Sequence, residues 1–180
     1  YYEDHIVSAE EAIKAIKDGD KITFADACGE ARYITSVLVD HYEDYHNVEI
    51  NQWLTNFNPS PFADPKMAGH FRLNTAFCGP GTVPGVADGS IDFSASHFSQ
   101  SPIVYQKYRP IDVAVVQLTP PDPETGLLSF GMHCTYSAGA CKAAKVVIAE
   151  INDQMPYTGG EEGYGKIKAE DVDYFVINSH

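Results

Sequence analysis

Apolar positions along this chain alternate between two rhythms: short continuous runs bounded by glycine, proline or asparagine, and helical stripes with apolar residues three and four apart. Ser8-Ala9-Glu10-Glu11 is a capping box, in which the Ser8 hydroxyl accepts from first-turn amides and Glu11 reaches back. Ala12, Ile13 and Ile16 form one apolar stripe, and Gly19 supplies a left-handed stop. Residues 21–25 read as the first strand and Ala27-Cys28-Gly29 as a tight turn. A helix is then predicted from about Glu30, with Ile34, Val37, Leu38 and His41 on its inner face.

The pattern repeats to the end. Strands are predicted over 48–54, 73–78, 91–97, 113–118, 146–151 and 172–177, and a short strand or hairpin arm over 126–131. Short helices are predicted over 64–70, 83–87, 102–108 (with a tyrosine-rich face) and 136–144. Val113–Leu118 and Val146–Ile151 are the most continuous apolar runs, which marks them as central strands covered on both faces. Strands alternating with helices predict a three-layer α/β domain around a mostly parallel, doubly wound, Rossmann-like sheet. There is no internal repeat, low-complexity segment or interdomain linker, so residues 1–180 read as one domain. A strand predicted to end at residue 177 implies an architecture that should continue.

Composition narrows the partners. The 180 residues are 44% hydrophobic, enough for a sizeable core and against disorder. Twelve basic against 25 acidic side chains give a net charge of −13, which repels nucleic acid and anionic membranes. No apolar run approaches the ~18 residues of a membrane-spanning helix. The first residues, Tyr1-Tyr2-Glu3-Asp4-His5, lack the basic start and apolar core of a secretion signal, so a cytoplasmic protein is expected. Cys28, Cys78, Cys134 and Cys141 have no CxxC spacing and read as reduced thiols in or near the core.

Ligands of open α/β sheets bind at the carboxyl ends of the strands, near a topological switch point. Loops 26–30, 79–85, 119–126 and 152–160 are therefore the candidates. Asp26-Ala27-Cys28-Gly29-Glu30 joins a strand to a helix, but it has one glycine and flanking acids, which oppose a pyrophosphate. Gly29 reads equally as a turn residue or as part of a substrate wall. Gly79-Pro80-Gly81-Thr82 permits close backbone approach, either in a plain turn or beside an oxyanion. The histidines and cysteines show no metal-ligand spacing, and His133-Cys134, if on a strand, point to opposite faces. Cys28 near a helix start leaves a Cys–His enzyme open. Ser129-Phe130-Gly131 is not a hydrolase elbow. The residues alone define an α/β domain with a pocket at its strand ends.

Several segments, in order, resemble one family. They are Val7-Ser8-Ala9-Glu10-Glu11-Ala12 with Lys17-Asp18-Gly19-Asp20-Lys21, then Phe24 through Glu30, Ala68-Gly69-His70-Phe71-Arg72 with Asn74, and Gly79-Pro80-Gly81-Thr82. The most specific run is Asp112 through Gln117, Pro120-Pro121-Asp122, Gly126, Ser129-Phe130-Gly131, and Ala143 through Asn152 with Gln154-Met155-Pro156. Together they resemble the acetyl-CoA hydrolase/transferase family, most closely its 4-hydroxybutyrate and butyryl-CoA:acetate CoA-transferases, over nearly the whole chain. Pro84-Gly85 departs from the pattern, since relatives tend to carry a basic residue near that loop.

The resemblance implies a ping-pong reaction. A glutamate attacks an acyl-CoA thioester, the released CoA thiolate returns to form a glutamyl-CoA thioester, and a second carboxylic acid takes the CoA. Members are roughly twice this length, and their catalytic glutamate lies in a second, similar domain. The resemblance therefore implies no catalytic residue in this chain, which would be the N-terminal domain, with Gly29, Gly79, Gly81, Thr82, Asn152, Met155 and Pro156 closing the substrate site. It implies coenzyme A as substrate, no tightly bound cofactor and no metal. The implied partners are an acyl-CoA, a small carboxylic acid, the missing C-terminal domain, and further copies in a homo-oligomeric full-length enzyme. An acetyl-CoA hydrolase differs only in using water as acceptor. A non-catalytic module binding a partner chain is the reading from another class.

Overall fold

The structure, a computed structural model, describes residues 1–179. Nine strands form in chain order: β1 (Lys21–Phe24), β2 (Val48–Gln52), β3 (Phe71–Thr75), β4 (Asp92–Phe93), β5 (Val113–Leu118), β6 (Leu127–Ser129), β7 (Val146–Ile151), β8 (Lys166–Lys168) and β9 (Tyr174–Ile177). Seven make one parallel sheet in the order β4-β3-β2-β1-β5-β7-β9. The chain winds outward from β1 to β4, then returns to β1 and adds β5, β7 and β9 on its other side. The switch point thus lies between β1 and β5. β6 and β8 form a separate antiparallel pair, with Leu128 opposite Ile167.

The helices are α1 (Ala9–Ala12), α2 (Arg32–Asp40), α3 (Val83–Asp88), α4 (Ser101–Ile103), which continues into a π-helical turn over Val104–Tyr108, and α5 (Ser137–Ala143). Side-chain alternation along the strands divides the core in two. Val113 and Val115 of β5 join Ile34 and Leu38 of α2 on one face of the sheet. Ala114, Val116 and Leu118 join Tyr105, Tyr136 and Phe130 on the other. The result is the expected three-layer, parallel, doubly wound domain, and both apolar runs form interior strands with the predicted bounds.

Several local expectations are corrected. The capping box forms only half: Ser8 Oγ accepts from the Glu11 amide at 3.2 Å, while the Glu11 carboxylate takes Lys14 at 2.6 Å. His41 is exposed and faces Asp44 at 3.5 Å instead of joining the inner face of α2. The strand predicted over 91–97 shrinks to the two residues of β4, at the sheet edge. β8 lies in a stretch to which no element was assigned from the sequence, and it pairs with β6 because Ile167 has an apolar slot to fill. Cys28, Cys78 and Cys134 are exposed; only Cys141 is buried.

The N-terminus of α2 has no side-chain cap from its own Ala31. Instead Glu150 of β7, fully buried, accepts from the amides of Tyr33 at 3.0 Å and Ile34 at 3.1 Å through Oε2. Its Oε1 accepts from Asn178 Nδ2 at 3.1 Å. An acceptor there pairs donors that the helix itself leaves open. Glu150→Ala should therefore cost about 3 kcal/mol, since it leaves two helix-start amides without their acceptor. Urea unfolding should show a lower midpoint at an unchanged slope; an unaltered midpoint would mean that α2 does not depend on this cap.

Candidate active site

Because the seven strands are parallel, the loops after β1, β2, β3, β5 and β7 all stand at one end of the sheet. They are laced together there. The Ala27 amide donates to Leu54 O at 2.8 Å, the Asn56 side chain donates to Ala27 O, and the Ser60 amide donates to Gly81 O at 3.0 Å. Across the switch point, Gln117 Nε2 donates to Glu30 O at 3.2 Å and Asn152 Nδ2 to Gln117 Oε1 at 3.4 Å.

A cavity of about 260 Å³ opens at this junction. The loop after β1 contributes Ala27, Cys28 and Glu30, and α2 begins in its wall with Arg32. Asn56 comes from the loop after β2, Gln117 from β5, and Asn152, Gln154 and Met155 from the loop after β7; Met132 completes the rim. Two larger cavities lie elsewhere: one of about 500 Å³ between α5 and β8, one of about 640 Å³ beside the amino ends of β2 and β3. Neither is at the strand ends where this architecture offers loop amides and side chains to a ligand.

Glu30 organises the wall. It is 2% exposed and accepts from Gln52 Nε2 at 2.7 Å, Thr55 Oγ1 at 2.9 Å and the Asn56 amide at 2.8 Å. Burial raises its pKa above the ordinary 4.5, and these hydrogen bonds only partly offset that. Beside it, buried Asp26 accepts from Thr135 Oγ1 at 2.9 Å and lies 2.7 Å from His133 Nε2. His133 thus sits in a turn packed on the first loop and not on a strand. Gly29 permits that packing, since a Cβ there would lie 3.1 Å from His133 Cβ. The amides of Tyr33 and Ile34 at the start of α2 are taken by Glu150.

The residues singled out from the sequence divide into two groups. Asn152 and Met155 line the cavity with the neighbours of Gly29, and Pro156 is exposed just beyond. Met155 packs against Gly131, whose φ of +65° and missing Cβ leave room for the thioether. Gly79, Gly81 and Thr82 are at the same end of the sheet but outside this cavity, buried against residues 54–60. The Gly79 and Thr82 amides are engaged internally: Gly79 donates to Thr82 Oγ1 at 3.2 Å, and Thr82, like Val83, donates to Gly79 O at 3.0 Å. A Cβ on Gly81 would stand 2.2 Å from Phe57 O. Glu30, Arg32, Asn56, Gln117 and Met132 were not singled out as site residues. Gln117 had a usable signal, as a polar residue near the carboxyl end of an otherwise apolar strand. Among the described residues, no group of three or more His, Cys, Asp or Glu could hold a metal ion, and no helix is long and apolar enough to cross a membrane.

The parallel, doubly wound sheet is the class of fold seen in a solved CoA-transferase. The 4-hydroxybutyrate CoA-transferase of Porphyromonas gingivalis superposes with a TM-score of 0.81 at 28% identity, over 99% of this chain and 40% of that one. The family model for the acetyl-CoA hydrolase/transferase N-terminal domain matches residues 1–180, and the chain belongs to that family. It is 34% identical over 180 residues to the 4-hydroxybutyrate coenzyme A transferase of Clostridium kluyveri, covering 99% of this chain and 41% of that protein. It is 26% identical over 165 residues to the butyryl-CoA:acetate CoA-transferase of Anaerostipes caccae, covering 90% of this chain and 37% of that protein. The chain thus spans about two fifths of the length of these relatives.

Two predictions follow from the packing and burial. Gly81→Val should lower stability by about 2–3 kcal/mol, because Phe57 O is backbone and cannot yield as a flexible side chain would. Gly29→Ala, facing a looser contact, should lower it less; thermal unfolding of both variants tests the order. Glu30 holds its proton to higher pH folded than unfolded. Its contribution is therefore fully present below pH 4.5 and is lost as pH rises through the raised value. Wild type should accordingly lose stability relative to Glu30→Gln as pH rises above 4.5, read from urea midpoints. A difference constant with pH would show that Glu30 ionises as freely folded as unfolded.

Proposed function

We propose that this chain is the acyl-facing, N-terminal domain of a CoA-transferase. The enzyme would move CoA between a short-chain acyl-CoA, 4-hydroxybutyryl-CoA or butyryl-CoA, and a carboxylate such as acetate. The observation that carries the reading is the family match over residues 1–180. Coenzyme A is then a substrate, not a resident cofactor. The second domain supplies the glutamate and most of the CoA surface, the full-length protein is a cytoplasmic homo-oligomer, and this chain closes the acyl side of the site.

The chemistry divides accordingly. The glutamate carboxylate adds to the thioester carbon, the C–S bond breaks, and CoA leaves as thiolate from a mixed anhydride. The thiolate then attacks the glutamyl carbonyl and releases the first carboxylate. An acceptor carboxylate adds to the glutamyl-CoA thioester and completes the cycle in reverse. In this scheme the wall made by Gln117, Asn152 and Met155 excludes water, which would otherwise hydrolyse the anhydride. A nucleophile in this chain is unsupported: Glu30 is occupied by three donors, and Glu150 is buried under α2.

The 180-residue chain alone should therefore show no CoA transfer from butyryl-CoA to acetate, and addition of the second domain should restore it. The assay follows the exchanged CoA ester. Turnover by this chain alone at ordinary enzyme rates, on the order of 1–1,000 per second, would show that the nucleophile is here.

A further inference from the structure

The cavity carries a cation, Arg32, that feels the field of Glu30 but makes no ion pair or hydrogen bond with any described residue. The chain has three arginines. Arg72 holds Asp92 at 2.6 Å and Arg109 pairs with Glu49. The Arg32 side chain forms no ion pair or hydrogen bond with any described residue; its guanidinium lies over the Phe57 ring, 4.9 Å from the centroid. Glu30, the carboxylate in the same wall, already accepts from Gln52, Thr55 and Asn56. A guanidinium stacked on an aromatic face is held in orientation while its edge N–H groups stay available, in a fork that matches a carboxylate.

The remaining wall is neutral. Asn56, Gln117 and Asn152 offer amides, and Met132 and Met155 offer apolar surface. Such a slot suits a short aliphatic chain, and the cation at its side suits an anion on that chain. Resting on the CoA-transferase reading, we propose that Arg32 determines specificity among four-carbon acids, by binding the carboxylate at the end of a dicarboxylic substrate remote from the reacting carbonyl. A succinate-type acid would then be favoured over butyrate. A terminal hydroxyl accepts a hydrogen bond without neutralising the charge, so 4-hydroxybutyrate should fall between the two.

The test compares the full-length enzyme with its Arg32→Met and Arg32→Lys variants, using acetyl-CoA as donor and succinate, 4-hydroxybutyrate or butyrate as acceptor. Arg32 is exposed, so both variants should keep the wild-type urea midpoint. Arg32→Met should lower kcat/KM for succinate about 10- to 100-fold, the worth of a charge-assisted hydrogen bond, with butyrate changed less than about twofold. Arg32→Lys should retain part of the preference, since it keeps the charge without the fork. Equal losses with all three acids, as for an arginine that pairs with the second domain, would overturn the proposal, as would no loss with any. A second measurement is independent of turnover. With ¹⁵N-labelled arginine, the Nε–H signal absent from Arg32→Met should shift on adding succinate and not on adding butyrate; no shift with succinate overturns the assignment. Absence of transfer to every acid in the wild-type enzyme would instead sink the CoA-transferase reading, leaving the spectroscopic result to decide Arg32.

Discussion

A buried carboxylate on one strand holds the start of a helix that follows another. Glu150 sits on β7, one strand beyond β5, and meets the first unpaired amides of α2, which follows β1. The contact spans the switch point. Without it, two donors at the start of α2 would lose their acceptor, at a cost of about 1–3 kcal/mol each where buried. With it, the loop from Ala25 to Ala31 has a fixed end as well as a fixed beginning. Glu30 then uses that fixed loop to gather Gln52, Thr55 and Asn56. Two desolvated carboxylates, one on each side of β1, therefore set the geometry of the loops around the cavity.

The parts of the fold legible in the sequence are those where one physical effect dominates. β5 and β7 are covered on both faces, so their apolar runs had no competing explanation. β4 is an edge, where pairing exists on one side only, and Ser94-Ala95-Ser96 supplies little apolar surface to extend it. β8 was illegible for the opposite reason: Lys166-Ile167-Lys168 has a single apolar residue, and its strand character comes from the slot beneath Leu128. His41 fits the helical period of Ile34 and Leu38, yet α2 ends before it and the chain turns outward.

The site was legible as a place and only partly as a set of residues. Parallel topology fixes which loops share an end, and that much follows from strand alternation. Polar residues at the ends of apolar strands, such as Asn51-Gln52, Asn74-Thr75, Gln117 and Asn152, carry a further signal, because buried amides need partners or ligands. Gly79 and Gly81 carry an ambiguous one. A glycine says that something approaches closely, and here the approaching atoms are Leu54 Cδ1 and Phe57 O rather than a ligand. Only tertiary structure distinguishes those cases. The same holds for the Asp26–His133 pair, whose members belong to segments far apart in sequence.

Charge gives the arrangement its remaining logic. A domain of net charge −13 repels carboxylates and acyl-CoA phosphates at a distance, although salt limits the reach of that field to about 8 Å under physiological conditions. An acid that reaches the cavity must therefore meet locally favourable groups within that range. Glu30 is screened from it by three donors, and amides line much of the rest of the wall. Arg72 and Arg109 are spent on structural pairs with Asp92 and Glu49. Among the described residues, Arg32 is the cationic side chain lining the cavity, and its stacking on Phe57 gives that charge a direction. The wider acidity then works with it: weakly held anions are kept out of the slot, and admission depends on fitting an oriented cation.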